Sequence, residues 1–263
     1  MSEQNRIQVH PIPAFRDNYI WALRSGSRVA IVDPGDAQPV LDYLAQERLQ
    51  LVAVLATHHH PDHVGGVAEL TLTAGRGRSI PVYGPKYEPI ATLTHPVAGG
   101  ARVAIPELGA EFEVLDIPGH RRAHIAYYGS NMVFCGDTLF ACGCGRVFEG
   151  TPPQLHASLQ KLAALPDENL VYCGHEYTLA NIRFARAVEP GNFALVERER
   201  ADTRTREENR PTVPTAIARE KASNPFLRCG EPEVAQSAGR HFGAALTDPV
   251  EVFTAIREWK NTF

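Results

Sequence analysis

Four of the eleven histidines in this chain fall within six residues, His58-His59-His60-Pro61-Asp62-His63. Packing rarely calls for such a cluster, whereas metal coordination does. Three further places repeat its setting, an apolar run and a tight turn before a metal-competent side chain. Phe112–Gly119 leads into His120, Met132–Gly136 into Asp137, and Leu170–Gly174 into His175. Side chains at the ends of several strands can converge on one edge of a sheet core. In an extended loop, positions i and i+2 point the same way, so His58 and His60 can share an ion while His59 faces away and should be replaceable with little loss of metal. Pro61 keeps His60 out of helical geometry and can open a helix, which turns Asp62 and His63 toward a second position.

The inventory is His58, His60, His63, His120, His175, Asp62 and Asp137, all imidazole or carboxylate. That set suits Zn(II), Fe(II) or Mn(II) and disfavours a structural thiolate site. Two such ions about 3.5–4 Å apart can share a hydroxide at near-neutral pH, a nucleophile that requires no catalytic side chain. No GxSxG nucleophile motif is present. Taken singly, His175 reads equally as a structural histidine and Asp137 as a turn residue. Asp33, in Val32-Asp33-Pro34-Gly35-Asp36, is either an orienting partner for a ligand or a simple turn. His124 follows His120 at helical spacing but precedes a strand, and its role stays open. His10, His95, His156 and His241 have no such context. Cys142 and Cys144 read as buried thiols in a glycine turn.

Strands are expected at Ile7–Val9, Tyr19–Leu23, Val29–Val32, Leu51–Ala56, Phe112–Ile117, Ile125–Tyr128, Met132–Cys135 and Leu170–Cys173. Helices are expected after an Asp36 N-cap, from Val64, and over Pro153–Leu165. After His175 strand signals nearly vanish, and helices are expected at Tyr177–Val188, Phe193–Asn209 and Pro249–Lys260. The charge-dense Glu197–Arg210 reads as a solvated helix face. These patterns divide the chain into residues 1–175, with mixed strands and helices, and 176–263, a helical domain.

The chain has 263 residues, 44% hydrophobic and 21% charged, with a net charge of −4. That balance gives no dedicated nucleic-acid surface. No run approaches the ~18 apolar residues of a membrane span. The N-terminal residues MSEQNRIQVHPIPAF lack the pattern of a secretory leader. Five cysteines without a CxxC pair suit a reducing, cytoplasmic setting.

The motif THHHPDHVGG, with His120, Asp137 and His175 downstream, resembles the metallo-β-lactamase superfamily. Within it, GDTLFACGCGRVFEGTP and VYCGHEYTLANIRFA resemble glyoxalase II, the hydroxyacylglutathione hydrolases, and the likeness runs from about Asn18 to Phe263. The resemblance implies an α+β fold, a four-layer αββα sandwich with a C-terminal helical domain. It implies two metal ions, zinc first with iron or manganese as alternatives. His58, His60 and His120 would hold one, Asp62, His63 and His175 the other, and Asp137 both. It further implies hydrolysis of S-D-lactoylglutathione and related glutathione thioesters to D-lactate or another 2-hydroxy acid plus glutathione, the second step of methylglyoxal detoxification, in a cytoplasmic monomer. Glutathione would be gripped by Arg146, Tyr177, Asn181, Arg257 and Lys260; on spacing alone, Arg257 and Lys260 read equally as basic residues at a helix end. Two departures stand out. Arg121-Arg122-Ala123 replaces the family's usual Thr-x-Gly after His120, and Arg146 and Phe148 stand where several relatives have Lys and Tyr. Rival readings are a hydrolase of the same fold acting on a lactone, β-lactam or phosphodiester, a mononuclear iron oxygenase acting on a persulfide, and a metal-storage or structural metal protein.

Overall fold

Three antiparallel strands, β1 (Gln8–Ala14), β2 (Asn18–Ser25) and β3 (Arg28–Val32), begin the part of the chain described by this computed structural model, residues 7–263. The leader reading of the N-terminus therefore falls partly outside the described residues, on 1–6. Next comes α1 (Ala37–Gln46), capped as expected by Asp36, whose carboxylate accepts from the Gln38 amide. β4 (Gln50–Leu55), the short α2 (Pro61–Val64), α3 (Val67–Gly75), β5 (Val82–Pro85) and β6 (His95–Val97) follow. The first sheet has the order β1-β2-β3-β4-β5-β6, parallel from β3 onward. β7 (Arg102–Ile105), β8 (Ala110–Asp116), β9 (Ile125–Gly129) and β10 (Met132–Gly136) then form an antiparallel array in the order β10-β9-β8-β7.

Burial on both faces explains the unbroken apolar runs of β2–β4. One face of the first sheet, including Ile20, Ile31 and Val54, packs on Val40 and Leu44 of α1 and Val67 and Leu70 of α3. The other is equally dry, with Trp21, Leu23 and Leu55 buried, as are Phe112, Tyr127 and Phe134 of the antiparallel strands. Between β3 and β4 the register shifts so that Val29 faces Leu51 but Ala30 faces Ala53, leaving Val52 as an extra residue. Such a bulge re-aims the end of a strand, here the end that leads into the histidine loop.

These elements form one packing unit, comprising the residues up to Asp116 together with Ala123–Gly136. The other unit comprises Ile117–Arg122 and Asp137–Phe263. It contains the hairpin β11 (Leu139–Phe140) and β12 (Gly143–Cys144), then α4 (Pro152–Ala163), β13 (Leu170–Cys173), α5 (Thr178–Val188), α6 (Phe193–Glu207), β14 (Thr215–Ala216), α7 (Ile217–Ser223), α8 (Pro232–Phe242) and α9 (Pro249–Thr262). The division by packing thus differs from the division of the sequence patterns at 175/176. Its cause is α4, which opens with a Thr151–Gln154 capping box and packs on α7 and α9.

Among the described residues, six strands were not expected: β5–β7, β11, β12 and β14. They are two to four residues long, and the first two residues of β6 are exposed, so each is too short for a hydrophobic period to mark it. Helices α7 and α8 were also missed. The solvated reading of Glu197–Arg210 needs correction, because Arg198 and Asp202 are buried. Arg198 pairs with Glu220 at 2.7 Å and with Asp202 at 3.2 Å, while Arg219 reaches Asp202 at 2.8 Å. The other Glu220 oxygen accepts from the Cys142 amide at 2.8 Å and the Asn224 amide group at 3.0 Å. Burial, the largest single influence, opposes the Arg198 charge, but Glu220, Cys142 and Asp202 together offset it and hold the guanidinium pKa above its usual value. Breaking a buried pair strands a charge. Glu220→Ala is therefore expected to destabilise the protein by ~3–5 kcal/mol, read from urea unfolding, with Glu220→Gln less affected.

Candidate metal centre

In the first unit the ligand loop is built around Asp33, which has a positive φ of 52°. Its Oδ1 accepts from the Thr57 amide and its Oδ2 from the Thr57 hydroxyl, both at 2.7 Å. Oδ2 also lies 3.0 Å from His63 Nδ1. The N–H of that imidazole therefore points at the carboxylate, and its Nε2 lone pair points away from it. Of the two readings of Asp33, the geometry supports the orienting one. Gly35 is obligatory beside it, since a Cβ there would lie 1.9 Å from the Asp62 carbonyl oxygen.

His58 is fully buried. Its Nδ1 meets the Thr57 hydroxyl at 3.0 Å and its Nε2 faces His60 Nδ1 at 3.0 Å. His63 lies close to it, with ring centroids 4.1 Å apart. Pro61 starts α2, with Asp62 and His63 in its first turn and His63 Nε2 3.7 Å from Asp62 Oδ2. Asn18, which carried no metal signal of its own, donates to that Asp62 oxygen at 2.9 Å. His59 turns the other way, against Glu88. His124 stacks on His58 at 4.5 Å and its Nδ1 meets the Ile125 carbonyl, so it buttresses a donor.

The second unit brings three more donors together. Asp137 Oδ2 lies 3.6 Å from His120 Nε2 and 3.3 Å from His175 Nε2. His120 Nδ1 donates to the Arg146 carbonyl at 2.9 Å, which again leaves Nε2 for an ion. His175 stacks on Tyr177 at 4.6 Å, with the rings nearly parallel. Gly145 passes so close to Asp137 that a Cβ would come within 1.9 Å of its carbonyl oxygen. The replaced Thr-x-Gly is accounted for here. Arg121 reaches Glu149 at 2.6 Å, and Phe148 N donates to His120 O and Gly150 N to Gly119 O, zipping the His120 loop to residues 146–150.

Both clusters fit divalent metal. Their donors are neutral imidazoles and carboxylates, and the His–Asp separations of 3.3–3.7 Å exceed a good hydrogen bond. They match instead the ~3.4 Å edge of a tetrahedron with ~2.1 Å bonds. The thiols are unsuited to ligation or attack, since burial pushes Cys142 and Cys173 up to about 12.

The five residues expected at the glutathione end all belong to the second unit but differ in exposure. Arg146 is exposed, Tyr177 and Lys260 are half-buried, and Asn181 and Arg257 are buried. Asn181 donates to the Ala141 carbonyl and Arg257 to the Cys144 carbonyl, both at 3.0 Å, so their side chains hold the β11–β12 hairpin. Lys260 lies over the Phe184 ring at 4.9 Å. Burial, then repulsion from Arg257, lowers its ammonium pKa to about 8.

Comparison with known proteins agrees with this architecture. Residues 14–175 match the metallo-beta-lactamase superfamily, and residues 176–263 match the family described as hydroxyacylglutathione hydrolase C-terminus. The chain is 56% identical over 257 residues to the hydroxyacylglutathione hydrolase of Nitrosomonas eutropha, covering 98% of this chain and 99% of that one. It is similar to the solved BLEG-1 B3 metallo-beta-lactamase, with 25% identity, a TM-score of 0.62, and 84% of this chain and 99% of that one covered. It is also similar to TTHA1623 in a di-iron-bound form, with 30% identity, a TM-score of 0.53, and 63% and 91% covered. The chain belongs to the hydroxyacylglutathione hydrolase family, within the metallo-β-lactamase superfamily, and has that superfamily's two sheets flanked by helices with a helical C-terminal domain.

Proposed function

We propose that this protein hydrolyses S-D-lactoylglutathione and related glutathione thioesters to D-lactate or another 2-hydroxy acid and glutathione, using two divalent metal ions. The observation that carries the reading is Asp137, whose single oxygen faces the Nε2 atoms of both His120 and His175, as a carboxylate shared by two ions would. His58, His60 and His120 would hold one ion, Asp62, His63 and His175 the other, and Asp137 both. Zinc is the first candidate for this donor set, with iron or manganese as alternatives; the similar TTHA1623 was solved in a di-iron-bound form.

When bound, two such ions supply an activated water and a Lewis acid for the thioester carbonyl. The chain's own residues do the rest. Asp33 and the Arg146 carbonyl fix the imidazole tautomers, and Asn18 orients Asp62. Phe148, edge-on to His120 at 5.3 Å, and Tyr177, stacked on His175, wall the reacting end. A thiolate is a good leaving group, because a free thiol has a pKa of ~8.5, so no protein acid need protonate it. Arg146, Tyr177 and Lys260 would meet glutathione directly, and Asn181 and Arg257 would act through the hairpin they hold. All five cysteines are free and buried, which supports a reducing cytoplasm. Among the described residues, no helix is long and apolar enough to cross a membrane.

Elemental analysis of the purified protein should give close to two first-row metal ions per chain, and Asp137→Ala should lose both metal and thioesterase activity. One tightly bound ion in fully active enzyme would refute the shared-carboxylate reading. Lys260 gives a pH signature. Its cation is present below about pH 8 and lost above it. KM for the glutathione thioester should therefore climb as pH rises through 8 while kcat holds. Lys260→Met should have a raised KM at pH 7, by ~10- to 150-fold for one charge-assisted hydrogen bond, and should lack the climb. Because that ammonium ionises less readily in the folded state, the unfolded chain binds more protons between pH 8 and 10.5, so this group makes stability rise with pH across that window.

A further inference from the structure

Glu88 has a buried carboxylate outside the expected ligand set, and it lies in the turn after β5. Its Oε2 accepts from the His59 amide at 3.0 Å and from His59 Nδ1, and its Oε1 accepts from the Ala123 amide at 3.1 Å. These anchors bracket one donor. His59 sits between His58 and His60, and Ala123 precedes His124, the ring stacked on His58. Beyond it, the Ile125 amide donates to the Thr57 carbonyl at 3.0 Å.

We propose that Glu88 is a positioning residue for the metal loop and that His59 is its working partner; this rests on reading the loop as metal-binding. A buried carboxylate is costly without donors, so the three contacts are held firmly. With the His59 amide and imidazole both committed to Glu88, the side chains on either side of it point the opposite way. There His58 Nε2 and His60 Nδ1 stand 3.0 Å apart. Three consecutive histidines could otherwise compete for one ion in several arrangements. The Glu88–His59 pair removes the middle one from the competition and fixes which atoms face the metal. His59 is then not the dispensable residue that alternation alone predicts.

The test uses the full-length protein as Glu88→Ala, Glu88→Gln, His59→Ala and the double variant Glu88→Ala/His59→Ala. Zinc affinity is measured by chelator competition and fold by circular dichroism and urea midpoint. Glu88→Ala should bind zinc ~10- to 100-fold more weakly, as loss of a ligand-orienting partner does. Activity should return in excess zinc with KM for the thioester unchanged. Glu88→Gln keeps an acceptor oxygen and should recover part of the affinity; it also serves if the alanine variant fails to fold. The double variant should be no weaker than the worse single variant, because the two residues act as one. Wild-type affinity in both Glu88 variants, or strictly additive losses in the double, would overturn the pairing. A wild-type chain that binds no zinc would instead sink the metal reading itself, so the two failures are distinguishable.

Discussion

A histidine can serve a metal only through the ring nitrogen that lacks a proton, and an imidazole left alone chooses between two tautomers. Each donor cluster is organised so that this choice is removed. Asp33 takes the N–H of His63, and the Arg146 carbonyl takes that of His120. The remaining lone pairs sit on Nε2, the atoms that face Asp62 and Asp137. Asp33 reaches this position only because it adopts a left-handed backbone at the end of β3 and commits its other oxygen to the Thr57 amide. That strained residue costs of order 1–3 kcal/mol, so it persists only where neighbouring contacts over-determine it.

The candidate donors left a clearer mark on the sequence than several of the elements that carry them. His58, His120, Asp137 and His175 could be picked out because each follows an apolar run and a turn, and His60, Asp62 and His63 because they crowd beside His58, with Asp62 and His63 in the first turn of α2. Residues acting at one remove left weaker traces. Asp33 read as either a turn or a partner, because Asp-Pro-Gly suits both. Asn18, Glu88 and Thr57 are ordinary polar residues whose role depends on contacts 24 to 44 positions away. No local period records such a contact. Shortness hid β5–β7, β11, β12 and β14, whose two to four residues are too few to establish an alternation.

Arg198 and Asp202 show a different limit. A helix rich in both charge signs reads as solvated, yet one i,i+4 pair on it is buried against Glu220 and Arg219. Charge count along a helix describes its average face, whereas burial depends on what one stripe of it meets. Here that stripe meets a carboxylate which also holds the Cys142 amide, so the charges lie inside because the β11–β12 hairpin needs an acceptor there.

That hairpin gathers four side-chain supports: Glu220 and Asn224, which are bonded to each other, with Asn181 and Arg257. It has little core of its own, two residues per strand, and a two-stranded ribbon of that length is not stable alone. Its position in the chain explains the reinforcement. It lies between Asp137 and the Arg146 carbonyl that orients His120, so any looseness in it would pass to both donors. In this chain Arg257 is buried against the hairpin carbonyls while Lys260, one turn on, remains half-exposed over Phe184. The two cations of one helix thus differ in setting, one bonded to the hairpin carbonyls and the other half-buried over an aromatic ring.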